Sequence, residues 1–216
     1  MDARLRGIFV LLFLILTGGS ATAQQLAPIV LPAPQTQGGK PLMEALALRS
    51  TSRAFASDPL PMQTLSNLLW AAWGINRPDK GLRTAPSAAN WQETDVYVVM
   101  ESGAYIYNAK SNTLEPVVKG DYRALTGTRA FVKDAPVTLV FIIDASRMKR
   151  GSEDMKVPLA WADVAFISEN VYLFCASEGL ATGVRASMDR AVLAKALKLR
   201  ADQSIILAQS VGFRKK

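Results

Sequence analysis

The 216-residue sequence contains no histidine and a single cysteine, Cys175. Without histidine there is no Ser-His-Asp or Cys-His pair and no imidazole to hold zinc. General acid–base work would fall to carboxylates, lysine or tyrosine. Hard chemistry in such a chain is easier to explain if a bound cofactor carries it. A lone cysteine excludes a disulfide within the chain. Cys175 lies in the apolar stretch Val171-Tyr172-Leu173-Phe174-Cys175-Ala176, where a free thiol packs as a small core residue and nothing adjacent would stabilise a thiolate. Long basic runs are also missing. The formal charge of +7 is scattered, and the basic pairs Lys149-Arg150 and Lys215-Lys216 are short, so no stripe suited to nucleic acid is present. Neither G-x-G-x-x-G nor G-x-x-x-x-G-K-S/T occurs, which excludes the usual nucleotide loops. A smaller anion, such as a phosphate group, stays open as a ligand.

What is present begins with an export signal. Arg4 and Arg6 precede the apolar run Ile8 to Leu16, and Ala21-Thr22-Ala23 supplies an A-x-A site before Gln24. Residues 1–23 are therefore expected to be a signal peptide, with the periplasm as destination. The apolar run is shorter than the about 20 residues needed to cross a bilayer, so no membrane association is expected after cleavage. Residues 24–40, rich in proline and glycine, read as an extended lead-in. Residues 41–216 read as one domain, large enough for a core without staples.

Pro41 suits the start of a helix carrying Leu42, Ala45, Leu46 and Arg49. A second helix is predicted from Pro61 to Trp73, stopped by Gly74. Trp70 and Trp73 near its end fit either core packing or a ligand or subunit surface. Asn76 to Asn90 reads as a loop. Strands are predicted at Val96–Met100, Tyr105–Tyr107, Thr113–Val118 and Val137–Ile143, the last buried on both faces. Asp121 to Thr128 is weakly helical, and Arg147 to Lys156 reads as a polar loop. Pro158 then opens the longest helix, apolar almost all round, to about Ser177. Asp163 and Glu169 argue against placing it in a membrane. A strand near Val184, a helix from Asp189 to Leu197 and a strand from Ser204 to Val211 complete the order. Strands come in pairs as well as alternating with helices, which points to an α+β fold with a mixed or antiparallel sheet.

Three segments could carry chemistry. Arg49-Ser50-Thr51-Ser52-Arg53 sets two arginine forks on one side of either a helix or a strand, with hydroxyls between. Such a set suits a phosphate, and equally an exposed basic helix end. In Arg83 to Gln92, the amides of Asn90 and Gln92 and the hydroxyl of Ser87 can donate and accept, or the segment is an ordinary turn. Gly179 to Ser187 either brings its backbone close to a flat ligand or simply stops a helix and starts a strand.

In this order, the segments resemble the nitroreductase superfamily, and within it the branch of thiazoline and oxazoline oxidases in peptide maturation. Arg49, Thr51, Arg53 and Phe55 match its R-x-S/T-x-R-x-F/Y string. Pro86, Ser87, Asn90 and Gln92 match P-S-x-x-N-x-Q, and Val211, Gly212, Phe213 and Lys215 match its closing V-G-F/Y-P-K, with Arg214 in place of proline. The likeness runs from about residue 31 to 216. It implies a three-layer sandwich, a homodimer and an FMN site at the subunit interface. Arg49, Ser50, Thr51 and Arg53 would hold the phosphate, with Arg214 or Lys215. Ser87, Asn90 and Gln92 would approach the ring, often from the other subunit, and Arg185, Ala186 and Ser187 would line its pyrimidine side. The implied chemistry is hydride transfer at flavin N5 with a small organic substrate, such as a nitroaromatic, quinone or azoline, with no protein nucleophile and no metal. A flavin-binding carrier or sensor without turnover is the alternative. The family's usual reductant, NAD(P)H, is not expected outside the cytoplasm, so export implies another electron donor or acceptor.

Overall fold

The computed structural model describes residues 26–215. The expected signal peptide, including its cleavage site, lies outside the described residues. The elements in order are β1 (Ile29–Val30), α1 (Leu42–Leu48), α2 (Met62–Trp73), β2 (Ile75–Arg77), β3 (Leu82–Arg83), β4 (Thr94–Met100), β5 (Gly103–Asn108), β6 (Thr113–Lys119), β7 (Val137–Asp144), α3 (Glu153–Ser177), β8 (Ala181–Arg185), α4 (Arg190–Ala196) and β9 (Gln203–Gly212).

Seven strands form one sheet in the order β1-β6-β5-β4-β7-β9-β8, and each neighbouring pair is antiparallel. The choice between mixed and antiparallel is thus settled as antiparallel. β7 is central and buried along its whole length, because helices cover both faces of the sheet. Alternate residues of the strands face opposite ways. Val98, Leu139 and Phe141 pack with Leu65, Leu68 and Leu69 of α2 and with Val164, Ile167 and Val171 of α3. Tyr97, Val140, Ile142 and Ala208 pack on the other side with Leu193 and Leu197 at α4. The result is an α+β sandwich of three layers.

Several boundaries differ from the sequence reading. The lead-in contributes an edge strand: β1 pairs with β6, and Leu31 is buried beside it. The loop between 76 and 90 contains the hairpin of β2 and β3 and a 3-10 turn at Ala88–Asn90. Strands this short and polar show no alternation in sequence. Residues 121–128 hold only a 3-10 turn, Arg123–Thr126. The long helix starts at Glu153, five residues before Pro158. Glu153 and Asp154 favour the positive helix N-terminus, and a proline in the second turn removes one hydrogen bond there without ending the helix.

α3 is long and apolar enough to span a membrane by composition, but only about half of that stretch is buried within the domain. Its inner face holds Val164, Ile167, Val171 and Cys175, while Val157, Trp161 and Phe166 are exposed. On α1, which packs beside it, Leu42, Met43 and Leu46 are exposed as well. Apolar character on every face therefore reflects one buried stripe and one surface stripe.

Candidate functional site

The segment from Arg49 to Arg53 is extended rather than helical, so alternate side chains share a side. It crosses the C-terminal part of α3 and lies against β8. Ser52 N donates to Thr182 O at 2.8 Å. A Cβ on Gly183 would come within 2.5 Å of Ser52 O, so this approach requires glycine. Tyr172 of α3 fastens the junction. Its hydroxyl accepts from Val184 N at 3.0 Å and lies 2.9 Å from Thr51 Oγ1. Arg49 stacks over the Tyr172 ring, 5.4 Å from its centroid.

Next to this junction is a cavity of about 650 Å³, lined by Thr51, Arg53, Arg129, Phe131 and the run Gly183 to Ser187. Thr51, Arg53, Arg185, Ala186 and Ser187 thus line one cavity. Arg49 and Ser50 sit alongside but do not line the cavity. Arg214 pairs with Phe55 across the chain end, and its guanidinium lies 3.5 Å from Ser50 Oγ. Lys215 follows it, exposed. The closing strand and the arginine string are therefore neighbours.

Arg185 is fixed. Its guanidinium donates to Thr126 O at 2.8 Å, Thr126 Oγ1 at 2.7 Å and Ser210 Oγ at 2.9 Å. All three acceptors are neutral, and burial pushes its pKa down to about 10. It stays charged at neutral pH. With Arg53 and Arg129 it makes a cationic cavity whose lining includes no carboxylate, which favours an anionic ligand.

Ser87, Asn90 and Gln92 stand elsewhere. Their loop is braced on α3 at Asp163, where Ala88 N donates to Asp163 Oδ2 at 2.8 Å. Asp163 and Tyr172 are nine residues apart, about 14 Å along a helix. Within one chain, none of the three lines the cavity. The loop is internally bonded. Ser87 Oγ accepts from Gln92 N at 2.9 Å and donates to Glu93 Oε2 at 3.1 Å. The Gln92 amide accepts from Arg83 Nε at 2.8 Å and donates to Gly81 O and Asn90 Oδ1, each at 3.0 Å. Ala89, Asn90 and Gln92 have φ of 49°, 52° and 48°, a region that non-glycine residues occupy only when held there. Asn90 is exposed at the tip.

Sequence reasoning missed Arg129, Phe131 and Tyr172. Arg129 lies in an irregular turn that no periodicity marks. Tyr172 did carry a signal: a polar-tipped aromatic within an apolar helix needs a partner for its hydroxyl. The two tryptophans divide the alternatives. Trp73 is buried, its indole donating to Thr94 O at 2.8 Å. Trp70 lines a shallow groove between α1, α2 and α3. Cys175 is buried, and burial pushes its thiol well up, so it is a core residue and not a nucleophile.

The profile of the Nitroreductase family matches residues 46–213. A crystal structure of an inferred nitroreductase from Ralstonia eutropha is 40% identical, with 88% of this chain and 90% of that one covered and a TM-score of 0.84. The microcin synthetase McbBCD complex of E. coli, solved with truncated pro-MccB17 bound, shares the fold at 19% identity, covering 97% of this chain and 85% of the other with a TM-score of 0.68. NADPH:FMN oxidoreductase from Vibrio harveyi, solved with NAD+, shares it at 18% identity, covering 81% and 69% with a TM-score of 0.62. The match takes in the arginine string from just before Arg49, the loop bearing Asn90 and Gln92, and the closing strand, and it makes this chain an oxidoreductase that belongs to the nitroreductase family.

Proposed function

We propose that the protein is a homodimer that binds FMN and uses it to move hydride or electrons to or from a small organic substrate. The observation that carries this is the cavity joining Thr51 and Arg53 to the backbone of Gly183 to Ser187, with three arginines and no carboxylate in its lining. The group fits the residues present. Arg53 and Thr51, with Arg49, Ser50, Arg214 and Lys215 beside them, suit a phosphate, since arginine forks and hydroxyls give charge-assisted hydrogen bonds to its oxygens. Gly183 lets backbone lie close, and Val184 to Ser187 offer an edge for a flat ring. The fold relative from Vibrio harveyi has FMN in its name.

When bound, FMN supplies hydride acceptance and donation at its N5. The chain's own residues have other tasks. The neutral ties of Arg185 keep a fixed positive charge under the cavity, which favours added electron density in the ligand. Phe131, stacked on Phe55 with ring centroids 6.1 Å apart, closes one wall and limits water. Asn90 and Gln92 stand outside the lining of their own chain's cavity. We assign them to the partner's site, across a two-fold interface built on the exposed apolar stripes of α1 and α3.

The test is the visible spectrum of the chain from residue 24 onward, with FMN added and then passed through gel filtration. Flavin bands should stay with the protein, and dithionite-reduced protein should be reoxidised by quinones or nitroaromatics. Colourless protein would end the FMN reading. Bound flavin that no acceptor reoxidises would instead favour a carrier or sensor.

Export is proposed from Arg4, Arg6, the run from Ile8 and the Ala21-Thr22-Ala23 site. Protein recovered from the periplasm should begin at Gln24 by mass spectrometry. Retention of residues 1–23 in that protein would contradict the assignment.

A further inference from the structure

Beneath the Asn90 loop lies a pair of carboxyls that the reading above does not use. Glu93 is 0% exposed and Asp163 3%. They carry the loop between them. Ser87 Oγ donates to Glu93 Oε2 at 3.1 Å, and Ala88 N donates to Asp163 Oδ2 at 2.8 Å. Ser87 Oγ in turn accepts from Gln92 N at 2.9 Å. Both ends of a segment with three left-handed non-glycine residues therefore hang on two acids.

The second oxygen of Glu93, Oε1, is buried and has no hydrogen-bond donor among the described residues. Native proteins seldom leave such an atom orphaned. The cations nearby are committed elsewhere. Arg147 donates to the main-chain carbonyls of Gln92 and Glu93 at 2.9 and 2.8 Å and pairs with Asp95 at 2.8 Å and Asp144 at 3.6 Å. Arg83 donates to the Gln92 amide and to Trp73 O, both at 2.8 Å. Two ionised carboxylates in a dry site, with no cation on either, repel strongly.

We propose that Glu93 and Asp163 share one proton, and that this proton holds residues 87–92 in the shape that presents Asn90 and Gln92 to the flavin. Both acids are positioning residues, since neither reaches the ligand. The inference rests on the flavin reading of that loop. Burial, and for Glu93 also the charge of Asp163, pushes both carboxyls above the usual range. The direction sets the sign. An acid raised in the folded protein keeps its proton below its folded pKa and loses it as pH rises through that value. The brace is complete at low pH and weakens as pH rises.

The experiment compares FMN affinity of the wild-type chain and Glu93→Gln between pH 6 and 9. Glutamine keeps the shape, accepts from Ser87 and donates to Asp163 without titrating. The second ionisation of the FMN phosphate, near pH 6, acts alike on both proteins, so the ratio of dissociation constants isolates the pair. Wild type should lose affinity relative to the variant by about tenfold across the range, the equivalent of one pKa unit. A ratio that stays flat overturns the proposal. If neither protein binds FMN, the flavin reading has failed, and thermal midpoints still test the pair. The advantage of Glu93→Gln over wild type should grow with pH, and a constant difference overturns the shared proton. Asp163→Asn carries the same comparisons if Glu93→Gln does not fold.

Discussion

Replacing Arg53 with alanine should weaken FMN binding by about 10- to 100-fold while leaving riboflavin binding almost unchanged. The reasoning is chemical. Arg53 lines the cavity next to Thr51, and the phosphate is the part of FMN that riboflavin lacks. A hydrogen bond to a charged group contributes about 1.5–3 kcal/mol, which is one to two factors of ten in affinity. The Arg49→Ala/Arg53→Ala double variant should lose its colour on gel filtration. Arg53→Lys should fall between, because lysine keeps the charge but not the planar fork. Fluorescence titration with both flavins is the measurement. Equal losses for FMN and riboflavin would move the phosphate away from this string.

The second large effect concerns assembly. Phe166→Glu should convert the proposed dimer to monomers at micromolar concentration and take bound flavin with it. Phe166 is 49% exposed on the outer face of α3, so the change leaves the core intact and thermal unfolding should remain cooperative. At an interface the same change buries a charge beside apolar neighbours, and loss of a central aromatic anchor costs about 2 kcal/mol or more. Sedimentation velocity reports the mass, and the flavin absorbance carried by each species reports the site. A colourless monomer is expected. A coloured monomer would show that one chain suffices for the ligand, and the assignment of Asn90 and Gln92 to a partner would fall.

The layered architecture was readable because its periodicities are strong. Leu65, Leu68, Leu69 and Ala72 repeat at helical spacing, and Val137 to Ile143 is apolar at nearly every position, as a strand covered on both sides must be. β2 and β3 were not readable, since two- or three-residue strands leave no pattern. Half of the candidate cavity's lining is legible for a local reason. Thr51 and Arg53, and likewise Arg185 to Ser187, are close in sequence, and one backbone contact at Gly183 joins the two groups. Arg129 arrives from a turn far away in the chain, and nothing local distinguishes it from any surface arginine. In the sequence, nothing sets Glu93 apart from any polar residue before a strand. Only the fold reveals that it is sealed against Asp163, because burial of a charge is a property of packing and not of spacing.

α3 has two ends with two clients. The Tyr172 end fastens the arginine string of its own chain, and the Asp163 end braces the loop we assign to the partner. In the dimer we propose, each chain would be host to one ligand and donor to another. A copy damaged at Arg53 and a copy damaged at Asn90 would each be inactive as a pure population. Mixed together, they would form hybrids in which both injuries fall on one site and the other is whole. Two loss-of-function alleles of this gene, placed in the same cell, would restore up to half a dimer's worth of activity.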